Sequence, residues 1–154
     1  INPEFCFFGQ KDFQQQLIVH DHLEKNNFST KLIVGQTVRD SNGLALSSRN
    51  NYLSEKEKKD ASLIYTYLKE IVDQLRQELA KDSLNISTNV LKTCEKYKNK
   101  FEAEGFKIDY LEIVNAKNLK KLKKGETDIL VAVAAYFKGV RLIDNLICDL
   151  SSSQ

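Results

Sequence analysis

The sequence predicts an α/β segment followed by a small α+β module. Three observations carry this. Two apolar runs, "FCFFG" at residues 5–9 and "TKLIVGQTV" at 30–38, flank a stretch with helical spacing. The composition shifts near residues 50–54, where a polar loop gives way to long amphipathic stretches. Three strand-like runs then crowd into the last third of the chain. The implied domains are residues 1–50, half of a parallel α/β layer, and 51–154, an α+β unit of two helices and about three strands.

"FCFFG" reads as the end of a strand closed by Gly9. From Asp12, an N-cap residue type, Phe13, Leu17, Ile18 and Leu23 carry a helix to about Lys25, with Asn26 and Asn27 as its stop. "TKLIVGQTV" is expected to be a second strand with a buried apolar centre, so that 5–38 forms a right-handed βαβ unit. In such units ligands sit beyond the carboxyl ends of the strands. Residues 39–53 read as a loop. "SEKE" at 54–57 matches a capping box, Ser54 with Glu57. One long helix is expected behind it, with Leu63, Ile64, Leu68, Ile71, Val72, Leu75 and Leu79 at three- and four-residue steps and an end near Ala80. Ser87 begins another, with Val90, Leu91, Cys94, Tyr97 and Phe101 on one face and Gly105 as its stop. "KIDYLEIVN" (107–115) and "DILVAVAAYF" (128–137) read as strands, and "VRLIDNLICDL", beyond a Lys138–Gly139 turn, as a further strand or strand-like end. The tail "SSSQ" is expected to be disordered.

Composition narrows the function. With 42% hydrophobic and 29% charged residues over 154 positions, the chain is globular. A net charge of +2 does not point to nucleic acid. The basic run at 117–126 lacks the interleaved aromatics of a stacking surface and reads as a solvated turn. Cys6, Cys94 and Cys148 are too scattered for a zinc site or a disulfide framework, which fits a reducing, cytoplasmic setting. No apolar run reaches membrane-spanning length. The opening "INPEFCFF" reads as the interior of a longer protein.

Two loops could carry chemistry. After Gly9, the N–H groups at a helix start favour an anion, Lys11 offers a point charge, Asp12 can accept from a ribose hydroxyl, and Gln14 and Gln15 offer amides. By spacing alone, an ordinary strand–turn–helix joint is the commoner meaning of a lone Gly-x-Lys. In "GLALSSRNNY", Ser47, Ser48 and Arg49 suit a pyrophosphate, each charge-assisted bond being worth roughly 1.5–3 kcal/mol. A solvated loop with a surface Arg explains them equally well. His20 and His22 face different ways on a helix and suggest no metal or base. Tyr52 reads as a packing residue, and Asp144 and Asn145 as local hydrogen-bond partners of Arg141.

Taken together, "INPEFCFFGQKDFQQ", "TVRDSNGLALSSRNNYLS" and "RLIDNL" resemble the pantoate–β-alanine ligases. The resemblance runs from residue 1 to about 150, and the first two motifs are specific in order and spacing. It implies the C-terminal part of a Rossmann-like nucleotidyltransferase domain followed by a smaller α+β domain that closes over the site. It implies ATP and Mg²⁺, with pantoate and β-alanine as substrates. Gly9, Gln10, Lys11 and Asp12 match the family's first ATP segment, Lys11 toward phosphate and Asp12 toward ribose. Gln15 matches a pantoate-binding Gln, and Val38 a position whose backbone meets adenine. Leu46, Ser47, Ser48 and Arg49 match the second ATP segment, so Lys11, Ser47, Ser48 and Arg49 are the expected catalytic groups. The family's His-x-Gly-His motif, its other pantoate-binding Gln and its acidic Mg²⁺-linked residues have no counterpart in this sequence. The expectation is therefore a fragment inactive alone, with no metal ligands of its own. A parallel sheet cut there should self-associate through 5–38 or be locally disordered. A non-catalytic interaction module is the alternative.

Overall fold

The computed structural model describes residues 3–81 and 86–149. The chain separates into two compact units, 1–38 and 39–154. The loop 39–50 therefore goes with the C-terminal unit rather than with the α/β remnant to which the composition shift assigns it. Its hydrogen bonds to the C-terminal sheet, described below, are the reason.

In the first unit, β1 (Phe5–Gly9) and β2 (Lys31–Gly35) form a parallel pair in the register Phe5↔Lys31 through Gly9↔Gly35. A parallel pair needs a crossover, and α1 (Phe13–Lys25) supplies it behind a 3-10 turn, Gln10–Asp12. Asp12 occupies the N-cap position of α1, but its side chain makes no capping bond, because the 3-10 turn already carries the chain into the helix. The second strand is shorter than 30–38, and its centre is not buried: Ile33 and Val34 are both exposed. Phe5 and Phe7 on β1 are exposed as well, Phe7 by 76%. A run of this composition suits a strand covered on both faces; the described residues of this unit supply no such cover.

The second unit holds the core. The capping box forms as expected. The Ser54 hydroxyl accepts the Glu57 N–H, and the Glu57 carboxylate takes the Ser54 N–H at 2.8 Å. The helix behind it is not continuous. α2 (Glu55–Ala61) breaks at Ser62 before α3 (Leu63–Lys81) begins. The Ser62 hydroxyl donates to the Lys59 carbonyl at 2.6 Å, and its N–H is shared between the Lys58 and Lys59 carbonyls, a tightened turn that interrupts the ladder.

Residues 82–85 and the side chains of 79–81, Leu79 among them, lie outside the described residues. So does the tail 150–154 and with it the expectation for "SSSQ".

α4 (Ile86–Ala103) buries Ile86, Thr93, Tyr97 and Phe101, one stripe at seven- and four-residue steps. Leu91, expected on that stripe, lies one residue round the helix from Val90 and is 70% exposed. The helix ends in a Schellman turn. Phe106 N–H bonds the Phe101 carbonyl, Gly105 N–H bonds Glu102, and Gly105 has φ 83°. The Phe101 and Phe106 rings meet at 5.4 Å, the apolar contact that accompanies the motif.

β3 (Lys107–Asn115), β4 (Asp128–Phe137) and β5 (Val140–Asp149) form an antiparallel sheet in the order β3-β4-β5. Lys138 and Gly139, both at positive φ, close the β4–β5 hairpin, as the sequence predicts. α3 and α4 lay Ile64, Leu68, Ile71, Leu75, Tyr97 and Phe101 against Ile113, Val131, Val133 and Leu142 of the sheet. Tyr97 also donates to Glu70 across the helix pair; burial, then the Glu70 charge, pushes its phenol up to about 12.

Candidate nucleotide-binding loops

The first loop begins where β1 and β2 end. Gly9 and Gly35 are partners in the parallel pair, so the carboxyl edge of the sheet closes on two residues without side chains. Nothing about the fold requires glycine at position 9. Its φ of −86° is open to any residue, and an added Cβ would meet nothing within 4 Å. The next residues turn into α1. Gln10 and Lys11 are half-buried; Asp12, Gln14 and Gln15 are exposed on the solvent side of the first turns. The glutamine that α1 buries is Gln16, whose Oε1 has no hydrogen-bond partner. Neither Gln16 nor Gly35 stands out by residue type. The burial of Gln16 depends on helical phase, and the partnership of Gly35 on strand register. Val38, exposed, is the last residue of this unit. His20 lies 3.6 Å from Glu24, and His22 contacts Asn26 and Phe28, all on the surface.

The second loop is built more tightly than a polar stretch suggests. Asp40 folds 39–45 into a small hairpin. Its Oδ1 accepts the N–H groups of Asn42 and Leu44, both at 2.9 Å, and its carbonyl accepts Gly43 N–H. Arg39 and Ala45 bridge across the hairpin base. Gly43, at φ 97°, sits on the Tyr65 ring, where a Cβ would fall 3.0 Å from Cδ1. From Ala45 the chain enters a 3-10 helix, Ser48–Tyr52, whose N-cap Ser47 accepts Arg49 N–H at 3.3 Å. The buried Asn50 donates from Nδ2 to the Ala45 carbonyl at 3.1 Å, tying helix to hairpin.

With its backbone held in this way, the loop leaves Leu46, Ser48 and Arg49 exposed and Ser47 half-exposed. Ser47 and Ser48 line an open cleft of about 610 Å³ together with Asp40, Asn42, Asn50 and Lys58. Tyr52 does not pack: it is 80% exposed, because the 3-10 turn points it away from the body of the unit. Asp144 does not pair with Arg141 either. Residues three apart on a strand face opposite ways. Arg141 binds Asp109, and Asp144 takes Arg39. Asn145 offers its N–H to Asp144 at 2.8 Å.

Among the described residues, no group of three His, Cys, Asp or Glu side chains could hold a metal ion. Asp40 is committed to backbone N–H groups, and Glu55 to Lys58. These residues do not fit a Mg²⁺ site.

A parallel β–α–β unit with a glycine-edged strand-to-helix turn, followed by an α+β unit with a hydroxyl–guanidinium loop, matches the C-terminal part of a nucleotidyltransferase-type fold. The chain belongs to the pantoate-beta-alanine ligase family, whose profile matches residues 1–147. It is 40% identical to the pantothenate synthetase of Leptospira interrogans serovar Lai, over 99% of this chain and 51% of that protein. It is 36% identical to that of Pseudomonas fluorescens, over 99% and 50%. Among solved structures, the pantothenate synthetase of Thermus thermophilus superposes with a TM-score of 0.76 at 34% identity, covering 94% of this chain and 49% of that one. The Francisella tularensis pantoate-beta-alanine ligase, solved in complex with beta-gamma ATP and beta-alanine, gives 0.58 at 26% identity, covering 99% and 46%. The chain thus spans about half the length of the curated relatives it matches.

Proposed function

We propose that this chain supplies part of the residue set with which a pantothenate synthetase condenses pantoate with β-alanine at the expense of ATP. The carboxylate of pantoate attacks the α-phosphorus, giving pantoyl adenylate and pyrophosphate. The β-alanine amine then attacks the acyl carbon and displaces AMP. Lys11 and Arg49 neutralise phosphate charge and the Ser47 and Ser48 hydroxyls donate to phosphate oxygens, which is where such a step gains most of its rate. Gly9, Gln10 and Asp12 line the nucleotide, with the Asp12 carboxylate toward ribose. The Val38 backbone and Leu46 border it, and Gln15 meets pantoate. Mg²⁺ enters only as the counter-ion of ATP, and no step of this chain is routed through it. The free thiols Cys6, Cys94 and Cys148 support a cytoplasmic setting. In this reading residues 1–50 supply the nucleotide-binding segments, the second of them, 39–50, bonded to the C-terminal unit, and 51–154 are the closing α+β domain.

The observation that carries the reading is Gly9, a glycine that neither backbone nor packing demands at the carboxyl edge of a parallel pair. Room for a ligand explains it. The test is Gly9→Val in the 154-residue chain. Wild type is expected to bind ATP without forming pantothenate, because the family's His-x-Gly-His motif is absent from these residues. The variant should keep or slightly raise its melting temperature and lose about tenfold or more in ATP affinity. Equal ATP binding by wild type and variant would sink the site assignment. Robust pantothenate formation by the 154 residues would sink the expectation that they are insufficient alone.

A further inference from the structure

Of the ion pairs among the described residues, the most buried one lies directly behind the Ser47–Arg49 loop. Arg39 Nη1 donates to Asp144 Oδ2 at 2.6 Å and Nη2 to Oδ1 at 3.0 Å, with the two side chains 14% and 3% exposed. Arg39 Nη1 also donates to the Gly43 carbonyl at 3.1 Å, and the guanidinium lies 3.7 Å from the centre of the Tyr65 ring. One side chain therefore joins the hairpin tip, α3 and β5. A buried pair of this kind adds little net stability over an apolar pair of equal volume. What it does add is orientation, since a planar fork on a carboxylate admits one geometry. From there the contacts run on without a gap. Arg39 bridges to Ala45, the Ala45 carbonyl takes Asn50 Nδ2, and Asn50 N–H bonds the Ser47 carbonyl.

We propose that Arg39 and Asp144 are positioning residues: they touch no ligand, and they fix the Ser47–Arg49 backbone against β5 so that its hydroxyls and guanidinium are presented in a single arrangement. The proposal rests on the reading of that loop as the triphosphate segment.

The test uses the full 154-residue chain with Asp144→Asn, Arg39→Lys and the paired replacement Arg39→Met with Asp144→Leu. The paired replacement keeps an apolar fill where a single change could prevent folding. Glu70→Gln is the control; it disturbs the contacts of Glu70 on α3 with Tyr97 and Lys100 on α4. Amide hydrogen exchange is read at Leu44 and Asn50 against Val131 and Val133 of β4, and ATP affinity is measured by titration. In every folded Arg39 or Asp144 variant, exchange at Leu44 and Asn50 should rise about tenfold or more, with β4 unchanged, and ATP should bind about tenfold more weakly. Glu70→Gln should do neither. Wild-type protection at Leu44 and Asn50 in the paired replacement overturns the proposal. If wild type itself takes no ATP, the triphosphate reading fails, and the exchange data alone decide whether the pair holds the loop.

Discussion

Glu57 shows how much one side chain can settle locally. Its carboxylate accepts the Ser54 N–H and hydroxyl, and these bonds, the backbone one first, hold its pKa below the usual glutamate value. A lowered carboxylate pKa means that the unfolded chain binds the proton more readily. The stabilisation is therefore present above the ordinary glutamate range and is lost as pH falls through the lowered value. Urea unfolding followed across the acid range should show this loss in wild type and a flatter profile in Glu57→Ala. Parallel profiles would remove the cap from the account. Ser54→Ala should cost about 0.5–2 kcal/mol at neutral pH. This pair is legible in the sequence because both partners lie within four residues. Arg39 is not. Its partner is 105 residues away, and nothing near "TVRDSNG" marks which carboxylate it will find.

At the scale of elements, the first two C-terminal strands are readable to their ends. "DILVAVAAYF" and its neighbours carry continuous or alternating apolar runs bounded by Gly, Lys and Asp, and β3 and β4 match the expected bounds. The break at Ser62 is not readable, because no Gly or Pro marks it and only a hydroxyl reaching back to Lys59 betrays it. The hairpin 39–45 lies between these cases. Asp-Ser-Asn-Gly announces a turn, but not that the turn would rest on an aromatic ring. Gly43→Ala tests that contact. A Cβ there meets both a φ of 97° and a ring atom 3.0 Å away. The expected cost is about 1–3 kcal/mol, read from the urea midpoint. A change near zero would show that the hairpin slides off Tyr65 freely.

For the molecule as a whole, burial is uneven. Nearly all of the core belongs to residues 39–154, while the 1–38 unit buries Phe13 and Gln16 and leaves Phe5, Phe7, Ile33 and Val34 exposed. Opening free energies should follow the same division, with β1 and β2 amides exchanging well before those of β4. An uncovered parallel pair is also a surface for association. Light scattering of the full chain should report species larger than a monomer, and Phe7→Ser should reduce them. A clean monomer with protected β1 and β2 amides would count against this. The sequence points to the fold of each unit, yet it places the divide at residue 50, because polar composition marks a loop and does not say which body the loop is bonded to.

The hairpin tip has one more consequence, for the shelf life of the protein. Asn-Gly is the dipeptide most prone to deamidation, since a glycine nitrogen can attack the asparagine side-chain carbonyl without steric hindrance and close a succinimide. Asn42 is exposed, but the nitrogen that would attack it belongs to Gly43, and its N–H is bonded to the Asp40 carbonyl. While the tip is folded, that ring closure is held off. Each opening of the hairpin frees the nitrogen, so chemical ageing at Asn42 keeps a permanent record of how often the 39–45 hairpin comes loose.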